Sequence, residues 1–133
     1  MAMISVDTNI VVRLLTKDDK HQYEISFKLF QEQEIFICDT VILETEWVLR
    51  FAYKFSPSDI YQAFTKLFGL VNVHLTNANK IAQVLEWYKS GLDFADAFHL
   101  AQSQHCTQMY TFDRKSINKA KNLTECEVIQ PEF

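Results

Sequence analysis

Glycine and proline are scarce in this chain, which contains two of each among its 133 residues. Soluble proteins average roughly 7% glycine and 5% proline, so flexible linkers and architectures built from many tight β-turns are disfavoured. The two glycines, Gly69 and Gly91, lie far apart, which excludes a glycine-rich phosphate loop and the three-glycine dinucleotide fingerprint. The sequence therefore favours helices joined by short turns, without a nucleotide cofactor of either kind.

The overall composition predicts one globular domain over residues 1–133. Hydrophobic residues make up 48% of the chain and charged residues 23%, which suits one core, and the chain is too short for two. The net charge of −4 excludes a broadly basic surface that neutralises nucleic-acid phosphates. Three cysteines without a C-x-x-C motif predict a reducing compartment, the cytoplasm. Since no apolar run exceeds four residues, we expect no membrane span.

Short apolar segments alternate with helical patterns along the whole chain. We predict strands over residues 3–6, 35–38, 71–75 and 108–112, and a final edge strand over 127–129. Helices are predicted to begin at Asp18 or Asp19, at Asp39-Thr40 (running to about residue 55), at Ser56-Pro57, at Asp93 and at Asp113. The pattern indicates an α/β fold with a central, mostly parallel sheet of four to five short strands, flanked by helices.

Two aspartates follow predicted strands directly, Asp7 after the first and Asp113 after the fourth. Open α/β sheets bind ligands beyond the carboxyl ends of their strands, so both side chains are candidate metal ligands. Each also has an ordinary structural interpretation, because aspartate is a favoured helix N-cap and a common turn residue. Taken singly, neither position decides between the two interpretations.

Glu44 lies within an apolar stripe of the helix predicted after residue 39. At about 100° per residue, Glu44, Val48 and Phe51 fall in one narrow arc. An unpaired buried carboxylate is strongly unfavourable, so this position predicts a cation, a proton or a water-filled cleft beside Glu44. Glu46 points to the opposite side and is predicted to form an ordinary solvated ion pair with Arg50, four residues further on.

Asp93 and Asp96 stand three positions apart at the start of a predicted helix. A capping residue followed by an acidic first turn explains both without any function. Helical periodicity does not separate them cleanly and slightly favours Asp93 as the functional side chain. His99, one turn after Asp96, is interpreted as a structural histidine. The sequence contains no motif of a serine hydrolase or a zinc site.

Four short motifs occur in a set order: V-D-T-N at 6–9, L-E at 43–44 followed by W-V-L-R at 47–50, D-F-A-D-A-F-H-L-A at 93–101, and Y-T-F-D-R at 110–114. With these motifs, the chain resembles a PIN-domain ribonuclease of the VapC toxin type over essentially its full length. The order and spacing are far more specific than any single motif. The resemblance implies a PIN-like, three-layer α/β fold.

The resemblance also implies a metal site formed by four catalytic carboxylates, Asp7, Glu44, Asp96 and Asp113. Asp7 and Asp96 would bind the ion, and the other two would contribute directly or through water. Asp93 would be an acidic neighbour and a further possible ligand, so the family pattern overrides the helical preference for this residue. Carboxylate oxygens are hard ligands, which suit Mg²⁺ or Mn²⁺ and not zinc or copper.

Two polar residues of the motifs, Asn9 and Thr111, would orient the carboxylates or the waters on the metal. The implied reaction is hydrolysis of RNA phosphodiesters by a metal-activated water, which leaves 3′-hydroxyl and 5′-phosphate ends. The implied partners are an RNA substrate, a second copy of the chain in a homodimer, and a small antitoxin that inserts a basic residue into the acidic site. The motifs are compatible with tRNA, ribosomal RNA or messenger RNA.

Two other functions fit the same motifs. One is a PIN-fold nuclease with a housekeeping RNA substrate and no antitoxin. The other is a non-catalytic RNA-binding PIN module. The presence of all four acidic residues favours a catalytic protein over the non-catalytic module, because a degenerate site commonly lacks one of them.

Overall fold

The structure is a computed structural model that describes residues 2–132, which form seven helices and five strands. The elements follow one another as β1 (Met3–Ser5), α1 (Thr8–Thr16), α2 (Lys20–Glu32), β2 (Glu34–Phe36), α3 (Asp39–Phe51), α4 (Pro57–Phe68), β3 (Val73–His74), α5 (Ala78–Lys89), α6 (Phe94–Gln102), β4 (Gln108–Tyr110), α7 (Arg114–Ala120) and β5 (Glu127–Ile129). The chain divides into two compact units, Met1–Ala78 and Asn79–Phe133, called here the N-terminal unit and the C-terminal unit.

All recorded strand pairs are parallel, as predicted. In the N-terminal unit the order is β1-β2-β3, and Ile35 at the centre of β2 pairs with Ile4 and Val73 and is fully buried. In the C-terminal unit β4 pairs with β5, with Met109 opposite Val128. The predicted α/β class is confirmed, and within residues 2–132 the five strands form one three-stranded and one two-stranded hydrogen-bonded ladder.

The third strand is shorter than the sequence pattern predicts. It covers only Val73–His74, and Val71 is 95% exposed in the turn before it. The side-chain amide of Asn72 shapes this turn by donating to the carbonyl oxygens of Phe30 (2.6 Å) and Gln33 (2.8 Å) at the end of α2. The alternation of apolar residues over 71–75 therefore does not extend the strand, because Asn72 ties the chain to α2 instead.

Most of the predicted helix starts are confirmed. Five side chains cap helices by accepting backbone N–H groups, namely Asp7, Asp19, Ser56, Asp93 and Asp113. The predicted start of α3 at Asp39-Thr40 is also confirmed, but neither residue is its N-cap: Cys38 occupies that position and makes no side-chain capping bond. The same helix ends at Phe51 and not near residue 55, because the chain leaves the helix through Lys54 (φ 60°) before Pro57, which disfavours helix in the residue preceding it.

The buried face of α3 differs from the predicted one. Its buried residues are Ile42, Thr45, Glu46 and Leu49, at the i, i+3, i+4, i+7 spacing of one helix face, whereas Glu44 is exposed. Glu46 was predicted to be solvated, and it is in fact 1% exposed. The predicted partner is correct, because Arg50 Nε donates to Glu46 Oε2 at 2.8 Å and Arg50 Nη2 donates to Oε1 at 3.3 Å. This pairing allows a carboxylate to lie on the core face.

A polar network holds the end of α1 to the segment that follows α3. Arg13 Nη1 donates to Asp18 Oδ1 (3.1 Å) and to the hydroxyl of Tyr53 (3.0 Å), and that hydroxyl donates to Asp18 Oδ2 (2.5 Å). The hydrogen bond from Tyr53, with smaller contributions from Thr16 and Arg13, holds the pKa of the Asp18 carboxyl below its ordinary value. The network fixes α1, which begins next to Asp7, against the helix that carries Glu44.

No helix formed by residues 2–132 combines the length and the apolar character needed to cross a membrane.

We expect Glu46→Gln to destabilise the protein, because it replaces the buried carboxylate that accepts two hydrogen bonds from Arg50 with a neutral amide. The expected loss in the free energy of unfolding is about 2 kcal/mol, the usual size for a hydrogen bond to a charged group. Urea denaturation of the wild type and the variant measures it. Glu24→Gln, at an exposed position of α2, is the matched control. Equal denaturation midpoints for all three proteins would contradict the structural role of the Glu46–Arg50 pair.

Candidate metal centre and its carboxylates

Asp7 connects β1 to α1 at the carboxyl end of the strand. Its Oδ1 accepts the backbone N–H of Ile10 at 3.2 Å, which makes it the N-cap of α1. The side chain is exposed, and together with Asn9 it lines a cleft of about 620 Å³ within the N-terminal unit. The structural interpretation of Asp7 as a cap is therefore correct, and the cap leaves the carboxylate accessible to a ligand.

Thr8 is the residue that orients Glu44. It is buried in the first turn of α1, and its hydroxyl donates a short hydrogen bond to Glu44 Oε1 across 36 positions of sequence. Asn9, which we predict to orient the carboxylates or the waters on the metal, is exposed, and its side chain makes no hydrogen bond with another described residue. The available signal was the hydroxyl next to the Asp7 cap, two positions before the apolar residues that begin at Ile10.

Asp93 and Asp96 lie together at the start of α6. Asp93 Oδ2 accepts the backbone N–H groups of Ala95 (3.1 Å) and Asp96 (3.4 Å), which confirms the predicted cap. Asp96 is half-buried, and partial burial together with the negative charges of Asp93 and Asp113 raises the pKa of its carboxyl. His99, interpreted from the sequence as a structural histidine, is exposed. Its electrostatic interaction with Asp96 acts in the opposite direction and lowers the pKa of that carboxyl.

Asp113 follows β4 and caps α7. Its Oδ1 accepts the backbone N–H groups of Lys115 (3.0 Å) and Ser116 (3.2 Å). The hydroxyl of Thr111 accepts the backbone N–H of Asp113 at 3.0 Å, so Thr111 fixes the turn that carries this carboxylate. The contact agrees with the orienting role predicted for Thr111.

Three of the four motif carboxylates are held in the same way. Asp7, Glu44 and Asp113 each use one oxygen, Oδ1 or Oε1, to accept a hydrogen bond from the protein. Among residues 2–132, their second oxygens accept no hydrogen bond. A carboxylate fixed through one oxygen presents the other in a defined position, which is the arrangement that a hard cation needs.

The structure groups the candidate residues by unit. Asp7, Thr8 and Glu44 lie together in the N-terminal unit, and in the C-terminal unit Asp96 lies within electrostatic range of both Asp93 and Asp113. Over the described part of the chain, no three His, Cys, Asp or Glu side chains are arranged so that they could hold a metal ion. The chemistry of the donors nevertheless fits Mg²⁺ or Mn²⁺, since every candidate ligand is a carboxylate oxygen.

This chain is similar to a known protein family and to solved structures. The sequence model of the PIN domain matches residues 4–122, a range that contains all four motif carboxylates. The crystal structure of Mycobacterium tuberculosis VapC20, described as a sarcin-ricin loop cleaving toxin, is similar at 20% sequence identity. The alignment covers 95% of this chain and 99% of that one, with a TM-score of 0.43. No protein of curated function matches the chain. Because the family match extends over most of its length, this chain belongs to the PIN domain family.

Proposed function

We propose that this protein is a metal-dependent endoribonuclease and the toxin of a toxin-antitoxin pair. The observation that carries the proposal is the PIN domain match over residues 4–122, in which Asp7, Glu44, Asp96 and Asp113 all retain a carboxylate. The hydrogen bonds to Asp7, Glu44 and Asp113 support a site built to present carboxylate oxygens.

In this proposal Asp7 and Asp96 bind Mg²⁺ or Mn²⁺, and Glu44 and Asp113 contribute directly or through water. When bound, the cation supplies Lewis-acid activation of a water and neutralises charge on the phosphodiester. Partial burial and the negative charges of Asp93 and Asp113 raise the pKa of Asp96, and a bound cation would offset this unfavourable charge. Asp93 adds negative charge beside Asp96 while it caps α6.

The protein's own polar groups set the positions of these carboxylates. The hydroxyl of Thr8 restrains Glu44, and the first turn of α1 restrains Asp7. In the C-terminal unit, Thr111 holds the backbone of Asp113, and the N–H groups of Lys115 and Ser116 hold its Oδ1. Restraint before substrate binding lowers the entropic cost of assembling the reacting groups.

We also propose that the protein forms a homodimer and acts in a reducing compartment. The family resemblance supports a homodimer and an RNA hydrolysis that leaves 3′-hydroxyl and 5′-phosphate ends. The odd number of cysteines and the lack of a C-x-x-C motif support a reducing compartment such as the cytoplasm.

Asp7→Asn is expected to abolish metal-dependent RNA cleavage and leave the fold intact. Asparagine caps a helix as well as aspartate does, so the start of α1 is preserved while the charge is lost. We expect activity to fall by about a hundredfold or more, since even residues that only support metal ligands typically contribute 10- to 100-fold. Cleavage of tRNA, ribosomal RNA and messenger RNA, with Mg²⁺ or Mn²⁺ and with EDTA, measures the effect.

The matched control for this experiment is Asp19→Asn. Asp19 caps α2 through the backbone N–H of Gln22 at 3.0 Å and belongs to none of the four motifs. The control should therefore retain wild-type cleavage and an unchanged melting temperature. Equal activity of the Asp7 and Asp19 variants would contradict the role of Asp7. Cleavage that persists in EDTA would contradict the metal dependence.

Thr8→Val tests the restraint on Glu44. Valine keeps the shape of threonine and removes the hydroxyl, so we expect Mn²⁺ affinity, measured by electron paramagnetic resonance of free Mn²⁺, to fall by about 10-fold. Thr8→Ser keeps the donor and should restore most of this affinity. If Thr8→Val and Thr8→Ser have the same affinity for Mn²⁺, the hydroxyl of Thr8 does not position Glu44 for the metal.

The antitoxin is proposed to supply a cation to the acidic site, with arginine the best candidate. Its planar guanidinium is permanently charged and contacts carboxylates through two hydrogen bonds. The product of the adjacent gene should therefore co-purify with this chain and inhibit cleavage. Changing one arginine of that partner to alanine should restore cleavage. If no arginine or lysine change restores it, inhibition works by another route, and a missing partner would favour a housekeeping nuclease.

A further inference from the structure

Two large aromatic side chains are exposed next to Asp113. Tyr110 is 53% exposed at the end of β4, and Phe112 is 76% exposed directly before Asp113. Among the described residues of the C-terminal unit, these are the only exposed aromatic residues, since Trp87, Tyr88 and the phenylalanines of α6 are buried. Neither ring is packed into the core. Proteins that bind single-stranded nucleic acids stack the bases on exposed aromatic rings of this kind.

The same segment carries a local excess of positive charge. Four of the chain's thirteen basic residues, Arg114, Lys115, Lys119 and Lys121, lie within eight positions, and all four are exposed. Arg114 makes no ion pair or hydrogen bond with another described side chain. A lysine-rich surface helix is often only a solvated face, but here the excess occurs in a protein of net charge −4 and begins beside a carboxylate of the proposed site. Such a location suits the attraction of phosphates.

A cleft of about 600 Å³ lies against these residues, entirely within the C-terminal unit. Tyr110 and Arg114 line it together with the apolar side chains of Ile117 and Ile129. Its polar lining includes the amides of Asn118 and Gln130 and the carboxylate of Glu132. Amides both donate and accept hydrogen bonds, and a carboxylate accepts from an exocyclic amino group. The cleft therefore combines an aromatic ring, a cation and groups that can contact the edge of a base.

We propose that this cleft binds one unpaired nucleotide of the RNA next to the cleaved bond. The base stacks on Tyr110, the neighbouring phosphate contacts Arg114, and Asn118 and Gln130 contact the edge of the base. The inference rests on the proposed nuclease function for the identity of the substrate, and it assigns recognition to residues outside the four acidic motifs. A single strand is required, because bases in a duplex are stacked on each other and do not offer a face to a side chain.

RNA fits this surface better than a protein partner does. A protein interface usually has an apolar centre with few charges, whereas this cleft places a guanidinium and a carboxylate beside its ring. The lysines of α7 add positive charge along the same segment, which complements a phosphate backbone. A second copy of this chain is the competing occupant, and the experiment includes it as an outcome.

The test is binding of a fluorescent single-stranded RNA in EDTA, where a metal-dependent nuclease cannot cut it. Tyr110→Leu should weaken binding about 10-fold, and Tyr110→Phe, which keeps the ring, should stay within about 2-fold of wild type. Arg114→Gln should weaken binding and reduce the slope of log affinity against log salt by about 0.7, the value for one phosphate contact on a single strand.

The matched controls lie in the N-terminal unit. Phe27→Leu removes an aromatic ring that is 43% exposed on α2, and Lys28→Gln removes an exposed charge on the same helix. Both should bind RNA as the wild type does. Circular dichroism of every variant confirms that the fold is retained.

Three results would overturn the inference: no binding of single-stranded RNA by the wild type, equal binding by the Tyr110 and Arg114 variants and the controls, or an altered oligomeric mass of these variants with unchanged RNA affinity. The last result would assign the surface to a protein interface. Failure of the proposed nuclease function looks different, since the wild type would then bind RNA and not cleave it with Mg²⁺ or Mn²⁺. In that case the loss of binding in Tyr110→Leu and Arg114→Gln would still support the cleft.

Discussion

Hydrogen bonds between aspartate side chains and helix N-termini hold three of the aspartates of the acidic motifs in place. Asp7, Asp93 and Asp113 each accept backbone N–H groups at the start of a helix, and Asp7 and Asp113 do so directly after a parallel strand. The partial positive charge of a helix N-terminus stabilises each carboxylate, so the chain tolerates acidic side chains that would otherwise repel one another. The same aspartate can therefore cap a helix with one carboxylate oxygen and remain a candidate metal ligand through the other.

Acidic and basic residues lie next to each other in the C-terminal unit. Seventeen acidic residues oppose thirteen basic ones, and the four motif carboxylates equal this excess. Partial burial, together with the negative charges of Asp93 and Asp113, raises the pKa of the Asp96 carboxyl. The basic segment from Arg114 to Lys121 follows Asp113 immediately, and in our proposal its positive charge attracts the RNA phosphates.

Two glutamates of α3 have opposite roles although they are only two positions apart. Glu46 lies on the core face and is stabilised there by Arg50, while Glu44 is exposed and restrained by the hydroxyl of Thr8. The Arg13–Asp18–Tyr53 network, at the other end of α1, holds the same two helices together. The position of Glu44 thus depends on contacts at both ends of the α1–α3 pair.

The sequence by itself determined the local features of this protein. Caps at Asp7, Ser56 and Asp113 and the parallel α/β class follow from side chains that bond to neighbouring backbone groups and from periodicity, so the sequence predicts them. The four acidic motifs are likewise readable from their order. Only the tertiary structure decided which side of α3 faces the core, because periodicity gives the angles between side chains and not the face that is buried. The bond from Thr8 to Glu44 joins residues 36 positions apart, and such a contact exists only once the helices have packed.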